Sequence, residues 1–176
     1  MKFVFPCQKH EQQAAAFMQE FHDHASAVNG AGGLDSFLKD GTYSDWLMKI
    51  RNDLDLANIL PGRVPAVTYF YVREEDGEIV GICNIRLALN DFLRREGGHI
   101  GYSIRPTERR KGYGTRMLRE ALAFCGIIGL RDVIVTCDQN NPASAGVIKN
   151  CGDVLDAEFY SETFQTTIQR YILQST

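Results

Sequence analysis

Between Arg105 and Arg119 the chain carries Arg105, Arg109, Arg110, Lys111, Arg116 and Arg119, with Glu108 as the one acid among them. Gly112 and Gly114 sit inside this basic run, just ahead of an apolar-periodic segment that reads as a helix. The first N–H groups of a helix have no partner within it, and they lie at the positive end of its dipole. Such a start is a ready site for a phosphate or pyrophosphate. Glycines let the ligand approach the backbone, and the cations add longer-range attraction. No Gly-Lys-Ser/Thr follows, so the run is not a Walker loop, and without a third glycine it is not the dinucleotide fingerprint. The competing reading of the same residues is a tight turn with a solvated basic loop.

Elements on either side must position this run. The pattern predicts a strand over 98–104 before it and a helix over 112–128 after it, with Met117, Leu118, Ala121, Leu122, Cys125 and Ile128 inward. A strand over 132–137, apolar enough to be buried on both faces, follows. Next comes a helix over 142–150, opened by Asn141 and Pro142 and closed by Gly152. Upstream, β-branched and aromatic residues predict strands over 66–73 and 78–86, joined at Asp76-Gly77. The N-terminal part reads as a strand over 2–5, a helix over 8–28 striped by Ala14, Met18, Phe21, Ala25 and Val28, and a helix over 44–58 with Tyr43, Trp46, Leu47, Ile50, Leu54 and Ala57 inward. Strands near 159–160 and 167–173 close the chain. The expected fold class is mixed α/β (α+β), with a mostly antiparallel sheet of six to seven strands, splayed in the middle and flanked by helices.

The 176 residues suit one domain with a core that needs no staples. A net charge of −3 disfavours a nucleic-acid partner. Cys7, Cys83, Cys125, Cys137 and Cys151 form no CxxC pair and no zinc spacing, so no metal is expected. Cys83 and Cys137 read as buried thiols. The opening apolar run stops at Pro6, too short for a signal peptide, and no stretch approaches the ~20 apolar residues of a membrane span. The expectation is a cytoplasmic protein without a membrane partner.

Two segments together carry a family resemblance. Arg109-x-x-Gly112-x-Gly114 resembles motif A of the GCN5-related N-acetyltransferases (GNAT family), and Asp138-Gln139-Asn140-Asn141-Pro142-Ala143-Ser144-Ala145 resembles their motif B, one helix and one strand later. The resemblance covers roughly 64–173, and the combination looks like a bacterial subgroup of predicted acetyltransferases. It implies a single acetyltransferase domain over 1–176, with 1–63 as the part that varies for acceptor recognition and 64–176 as the cofactor-binding core. It implies acetyl-coenzyme A as co-substrate. The loop Arg109, Arg110, Lys111, Gly112, Tyr113, Gly114 and Thr115, with Arg105 before it, would hold the pyrophosphate. The strand at Tyr102, Ser103 and Ile104 would bond the pantetheine arm, with Asn141 and Ser144 beside the cofactor.

Acetyl transfer to an amine needs a neutral nucleophile, a polarised carbonyl and a proton for the leaving thiolate. His99 is the first candidate base, where many relatives carry Glu; its alternative is a structural histidine bonded to a neighbouring loop. Glu96 is the weaker alternative. By the resemblance, relatives often carry a proton-donating Tyr where this chain has Ile148; Tyr102, Tyr113 or a water could substitute, and a coenzyme A thiol needs little help to leave near neutral pH. Asn84 and Arg86 lie two apart on one strand face and would suit a carboxylate or phosphate on the acceptor, against the alternative of an exposed strand end. The implied function is N-acetyl transfer to a small-molecule or protein amine. The alternatives are a non-catalytic acyl-coenzyme A sensor and a binder of another phosphorylated ligand. The acceptor and the oligomeric state, a homodimer included, stay open.

Overall fold

The computed structural model describes residues 1–152 and 154–175. Seven strands among them form two antiparallel sheets. The first, in the order β1 (Lys2–Val4), β2 (Ala66–Val72), β3 (Ile79–Arg86), β4 (Ile100–Ile104), carries the N-terminal half. The second, in the order β5 (Asp132–Asp138), β7 (Thr166–Gln174), β6 (Val154–Ser161), carries the C-terminal half. Five helices flank them: α1 (Glu11–Asp23), α2 (Leu34–Asp40), α3 (Tyr43–Asn52), α4 (Tyr113–Ile127) and α5 (Pro142–Lys149). This is the expected splayed α/β architecture. No helix among the described residues is long and apolar enough to cross a membrane.

Strand alternation assigns the two faces of the first sheet to two cores. Val67, Tyr71, Val80, Cys83, Ile85 and Ile100 pack with α4 and with Val133, Val135, Tyr171 and Leu173 of the second sheet. Phe70, Val72, Ile79 and Ile82 pack against α1, α2 and α3 on the opposite side. The seam between β4 and β5 therefore lies between two layers of helices.

Several expectations change. The first helix stops at Asp23, because the chain turns at Ala25 (φ 46°) and the Ser26 N–H returns to the Phe21 carbonyl. Its fully buried residues are Ala14, Phe17 and Phe21; Met18 and Val28 pack partly buried against the same core, and Ala25 is exposed. Helix α2, seven residues long, is too short to give a periodic signal. Helix α3 begins at Tyr43, where Thr42 and Asp45 form a capping box. It ends at Asn52, leaving Leu54 46% exposed. Ile128 lies past the end of α4 and is 42% exposed, not inward. Strand β5 is buried only at Val133, Val135 and Cys137, since its other face meets the 93–98 loop, where the Thr136 hydroxyl donates to Glu96 O (2.9 Å). Trp46, Cys83 and Cys137 are buried as expected.

Candidate active site

The two sheets are pinned at one point. The His99 N–H donates to the Ile134 carbonyl (2.7 Å), and the Ile134 N–H donates to His99 Nδ1 (2.9 Å). Gly98 makes the approach possible: its φ is +64°, and a Cβ there would sit 2.6 Å from the Ile134 oxygen.

Beyond this pin the strands separate, and no further backbone bond joins β4 to β5 among the described residues. The bonds from Arg86 N–H to His99 O (2.8 Å) and from Arg105 N–H to Val80 O (2.9 Å) fix the phase of the β3–β4 ladder. Gly101 and Ser103 then bond to β3, while the backbone N–H and C=O of Ile100, Tyr102 and Ile104 point away from it. On β5, the bond from Gln139 N–H to Thr167 O (2.9 Å) likewise sends Val133, Val135 and Cys137 toward β7 and turns the edge of Ile134 and Thr136 to β4. The result is a cleft closed at His99 and open toward the starts of α4 and α5.

At that open end lies the basic glycine loop. Arg110 (φ 61°) and Gly112 (φ 80°) both adopt left-handed backbone and turn the chain into α4. The first intrahelical bond runs from the Arg116 N–H to Gly112 O, so the N–H groups of Tyr113, Gly114 and Thr115 precede it. A Cβ built on Gly112 would meet nothing within 4 Å, so the loop is open on that side. Gly114 serves packing instead: its Cβ position is 3.0 Å from Val147 of α5. The loop fits a diphosphate by its donors and its open side.

The cations of the run do different work. Arg110 is exposed and has no ion-pair partner among the described residues, whereas Lys111 bonds Glu108 (2.9 Å). Arg109 clamps the scaffold: Nε donates to Ile104 O (3.1 Å), Nη2 donates to the Ser26 hydroxyl (2.7 Å), and the guanidinium lies over the Phe21 ring. Arg105 turns from the loop altogether. It pairs with Glu78 and Glu20 and stacks on Phe17, which ties β4 to β3 and α1. Tyr113 is the half-buried first residue of α4.

Within the cleft, the Tyr102 hydroxyl is 3.1 Å from Ser144 Oγ on the first turn of α5. Burial pushes the Tyr102 phenol well above its ordinary pKa, so it stays protonated. Asn141 caps α5 by accepting from the Ser144 N–H (3.0 Å). Ile148 is fully buried in the core. His99 is 7% exposed, and its Nδ1 lone pair is occupied by Ile134. Burial, then Arg86 and Arg94, hold its pKa below the ordinary value. Nε2 must then carry the proton of the neutral ring. This leaves His99 as a pin between sheets, with no free lone pair for a base.

On the opposite face of the sheet, Asn84 donates to the Thr68 hydroxyl (3.0 Å), and Arg86 Nη1 donates to the Gly97 and Gly98 carbonyls (2.7 and 2.9 Å). Neither residue is at an exposed strand end. Glu96 accepts from the Ser161 hydroxyl (2.7 Å).

No local pattern foretells the position of the 29–33 loop. It lies across β4: a Cβ on Gly30 would be 2.0 Å from Gly101 O, and Ser103 Oγ accepts from the Asn29 N–H (2.7 Å) and donates to its carbonyl (2.9 Å). Its cluster of glycines is the one available signal. A groove of about 410 Å³ lined by Phe5, Tyr69, Leu87, Phe124 and Leu130 lies at the C-terminal end of α4, away from these residues.

Residues 1–153 match a family model described as an acetyltransferase (GNAT) domain. Among curated proteins no significant sequence match is found. The fold is similar to a ribosomal-protein-S5-alanine acetyltransferase from Vibrio fischeri, at 14% identity and TM-score 0.72, over 98% of this chain and 92% of that one. It is similar to a ribosomal L7/L12 alpha-N-protein acetyltransferase in complex with coenzyme A, at 13% identity and TM-score 0.69, over 98% and 92%. It also resembles the microcin C7 self-immunity acetyltransferase in complex with acetyl-CoA and AMP, at 16% identity and TM-score 0.65, over 98% and 91%. At these identities the likeness is one of fold.

Proposed function

The chain belongs to the GNAT acetyltransferase family, and from that premise we propose that it moves an acetyl group from acetyl-coenzyme A to a primary amine of a small molecule or protein, by direct attack in a ternary complex. The observation that carries this reading is the β4 edge at Tyr102 and Ile104, whose N–H groups are turned away from β3 and which runs from the His99 pin to the open glycine loop at the start of α4.

Acetyl-coenzyme A supplies an activated acyl thioester. The N–H groups of Tyr113, Gly114 and Thr115 bind its diphosphate at the positive end of α4, and Arg110 and Lys111 raise its local concentration. Asn141 and Ser144 line the other side of the open end. Backbone N–H groups on the free β4 edge are fixed donors for the thioester oxygen, where charge develops during transfer. The amine nitrogen forms a bond to the acyl carbon as the carbon–sulfur bond breaks. The nitrogen loses its proton to water, and the sulfur takes one from the Tyr102 hydroxyl, which recovers it through Ser144 or solvent. Tyr102 thus assumes the role for which Ile148 has no proton, and His99 positions β4.

Calorimetric titration of the native chain and of Gly112→Trp with acetyl-coenzyme A tests the reading. Binding to the first and none to the second supports it. No binding to the native chain overturns it.

A further inference from the structure

The face of the first sheet that meets α1–α3 changes character along its length. Phe70, Val72, Ile79 and Ile82 are apolar and covered. One step further, Thr68, Asn84 and Gly101 stand side by side across three strands, with Arg86 beside His99 and Ser103 next to Ile82. This row is buried although it is polar: Thr68 is 1%, Asn84 6%, His99 7% and Ser103 8% exposed.

Most of the row is satisfied from within the protein: Thr68 by Asn84, Ser103 by Asn29, His99 by Ile134. Arg86 is the exception. Its Nη1 reaches two carbonyls, but no carboxylate lies within 4 Å of its guanidinium among the described residues. Nη2 has no hydrogen bond among them and lies 3.4 Å from the position a Cβ would take on Gly101. It is thus directed along the sheet toward the residue that precedes Tyr102. The acid of the neighbouring loop, Glu96, is turned to Ser161 and Arg95. A largely buried guanidinium without a counter-ion is costly, and a planar fork of donors is suited to an oxyanion.

Resting on the acetyl-transfer reading above, we infer that the acceptor is a small amine bearing a carboxylate or phosphate, whose oxyanion is held by Arg86 with its amine toward the β4 edge. The same charge, joined by Arg94 near His99, opposes a second cation in the subsite. It therefore disfavours polycationic amines and favours the neutral form of the attacking nitrogen.

The test is steady-state thiol release by the native chain with acetyl-coenzyme A and matched amines: β-alanine against β-alaninamide, phosphoethanolamine against ethanolamine, and spermidine. The expected result is a kcat/KM for one anionic amine roughly 10- to 100-fold above its neutral partner, the range of one charge-assisted hydrogen-bond pair, with spermidine slower than both. The pair that shows the preference distinguishes carboxylate from phosphate. In Arg86→Gln the ratio should fall toward one, and in Arg86→Lys part of it should persist. Turnover with no anion preference, or with spermidine fastest, overturns the inference and leaves acetyl transfer standing. An equal fall for every amine in Arg86→Gln assigns Arg86 to the fold alone and also overturns it. Should that variant not fold, the matched pairs on the native chain decide. Thiol release with none of the five overturns the inference, and acetyl-coenzyme A binding then shows whether the transfer reading falls with it.

Discussion

His99 and the backbone of Ile134 exchange two hydrogen bonds, one from the His99 main-chain N–H to the Ile134 carbonyl (2.7 Å) and one from the Ile134 N–H to the imidazole Nδ1 (2.9 Å), and these join the two sheets at the closed end of the cleft. Replacing His99 with Ala leaves a buried N–H without a partner, at a cost of about 1–3 kcal/mol in stability. His99→Asn, whose amide oxygen can take the place of Nδ1, should recover much of the activity lost in His99→Ala. A general base would be lost equally in both, so the comparison of kcat between them separates the two roles.

The same bond sets a pH dependence. Burial and the nearby Arg86 and Arg94 lower the folded pKa of His99 below its ordinary 6.5, so the unfolded chain binds the proton more readily. The stability this contributes is fully present above about pH 6.5 and is lost as pH falls through the folded pKa. Thermal melts of the native chain should show this decline, and melts of His99→Asn should lack it.

Tyr102→Phe removes the hydroxyl that meets Ser144 across the cleft. Its kcat should fall by roughly 100-fold, within the range for one positioned acid, while acetyl-coenzyme A affinity changes little. Since burial raises the phenol's pKa above the ordinary 10.0, no alkaline loss of rate below that value should come from Tyr102. The pH–rate profile of kcat checks this.

Gly30→Ala would place a Cβ 2.0 Å from the Gly101 oxygen at a backbone φ of +72°. The loop must move off β4, at a cost of roughly 2–4 kcal/mol. Because this loop lies on the face opposite α4, the KM for the amine should rise more than that for acetyl-coenzyme A.

Arg105 and Arg110 should separate cleanly. Arg105→Ala removes the guanidinium that Glu20 and Glu78 share, leaves Glu20 to Thr107, and should destabilise the fold by roughly 1–3 kcal/mol. Arg110→Ala should leave the melting temperature nearly unchanged. It should weaken acetyl-coenzyme A binding several-fold at low salt and less at high salt. Melts and titrations at two ionic strengths distinguish them.

The local signals were sufficient for much of this protein. Periodicity placed α4 and its buried Met117, Leu118, Ala121, Leu122 and Cys125; β-branched and aromatic runs placed β2 and β3; Asn141 and Pro142 placed the start of α5. These depend on residues near one another in the chain, and so does the glycine loop, whose donors come from a single helix start. The partners of side chains depend on strands far apart in sequence. Nothing near Arg105 predicts that Glu20 and Glu78 take its charge, and nothing near His99 predicts that Ile134 takes its lone pair. The sequence by itself determined where an anion could be held and which elements hold it. Only the tertiary structure decided that His99 pins the sheets, that Tyr102 meets Ser144, and that Arg86 is left without a counter-ion, because each depends on how the β3–β4 edge meets β5 and the 29–33 loop.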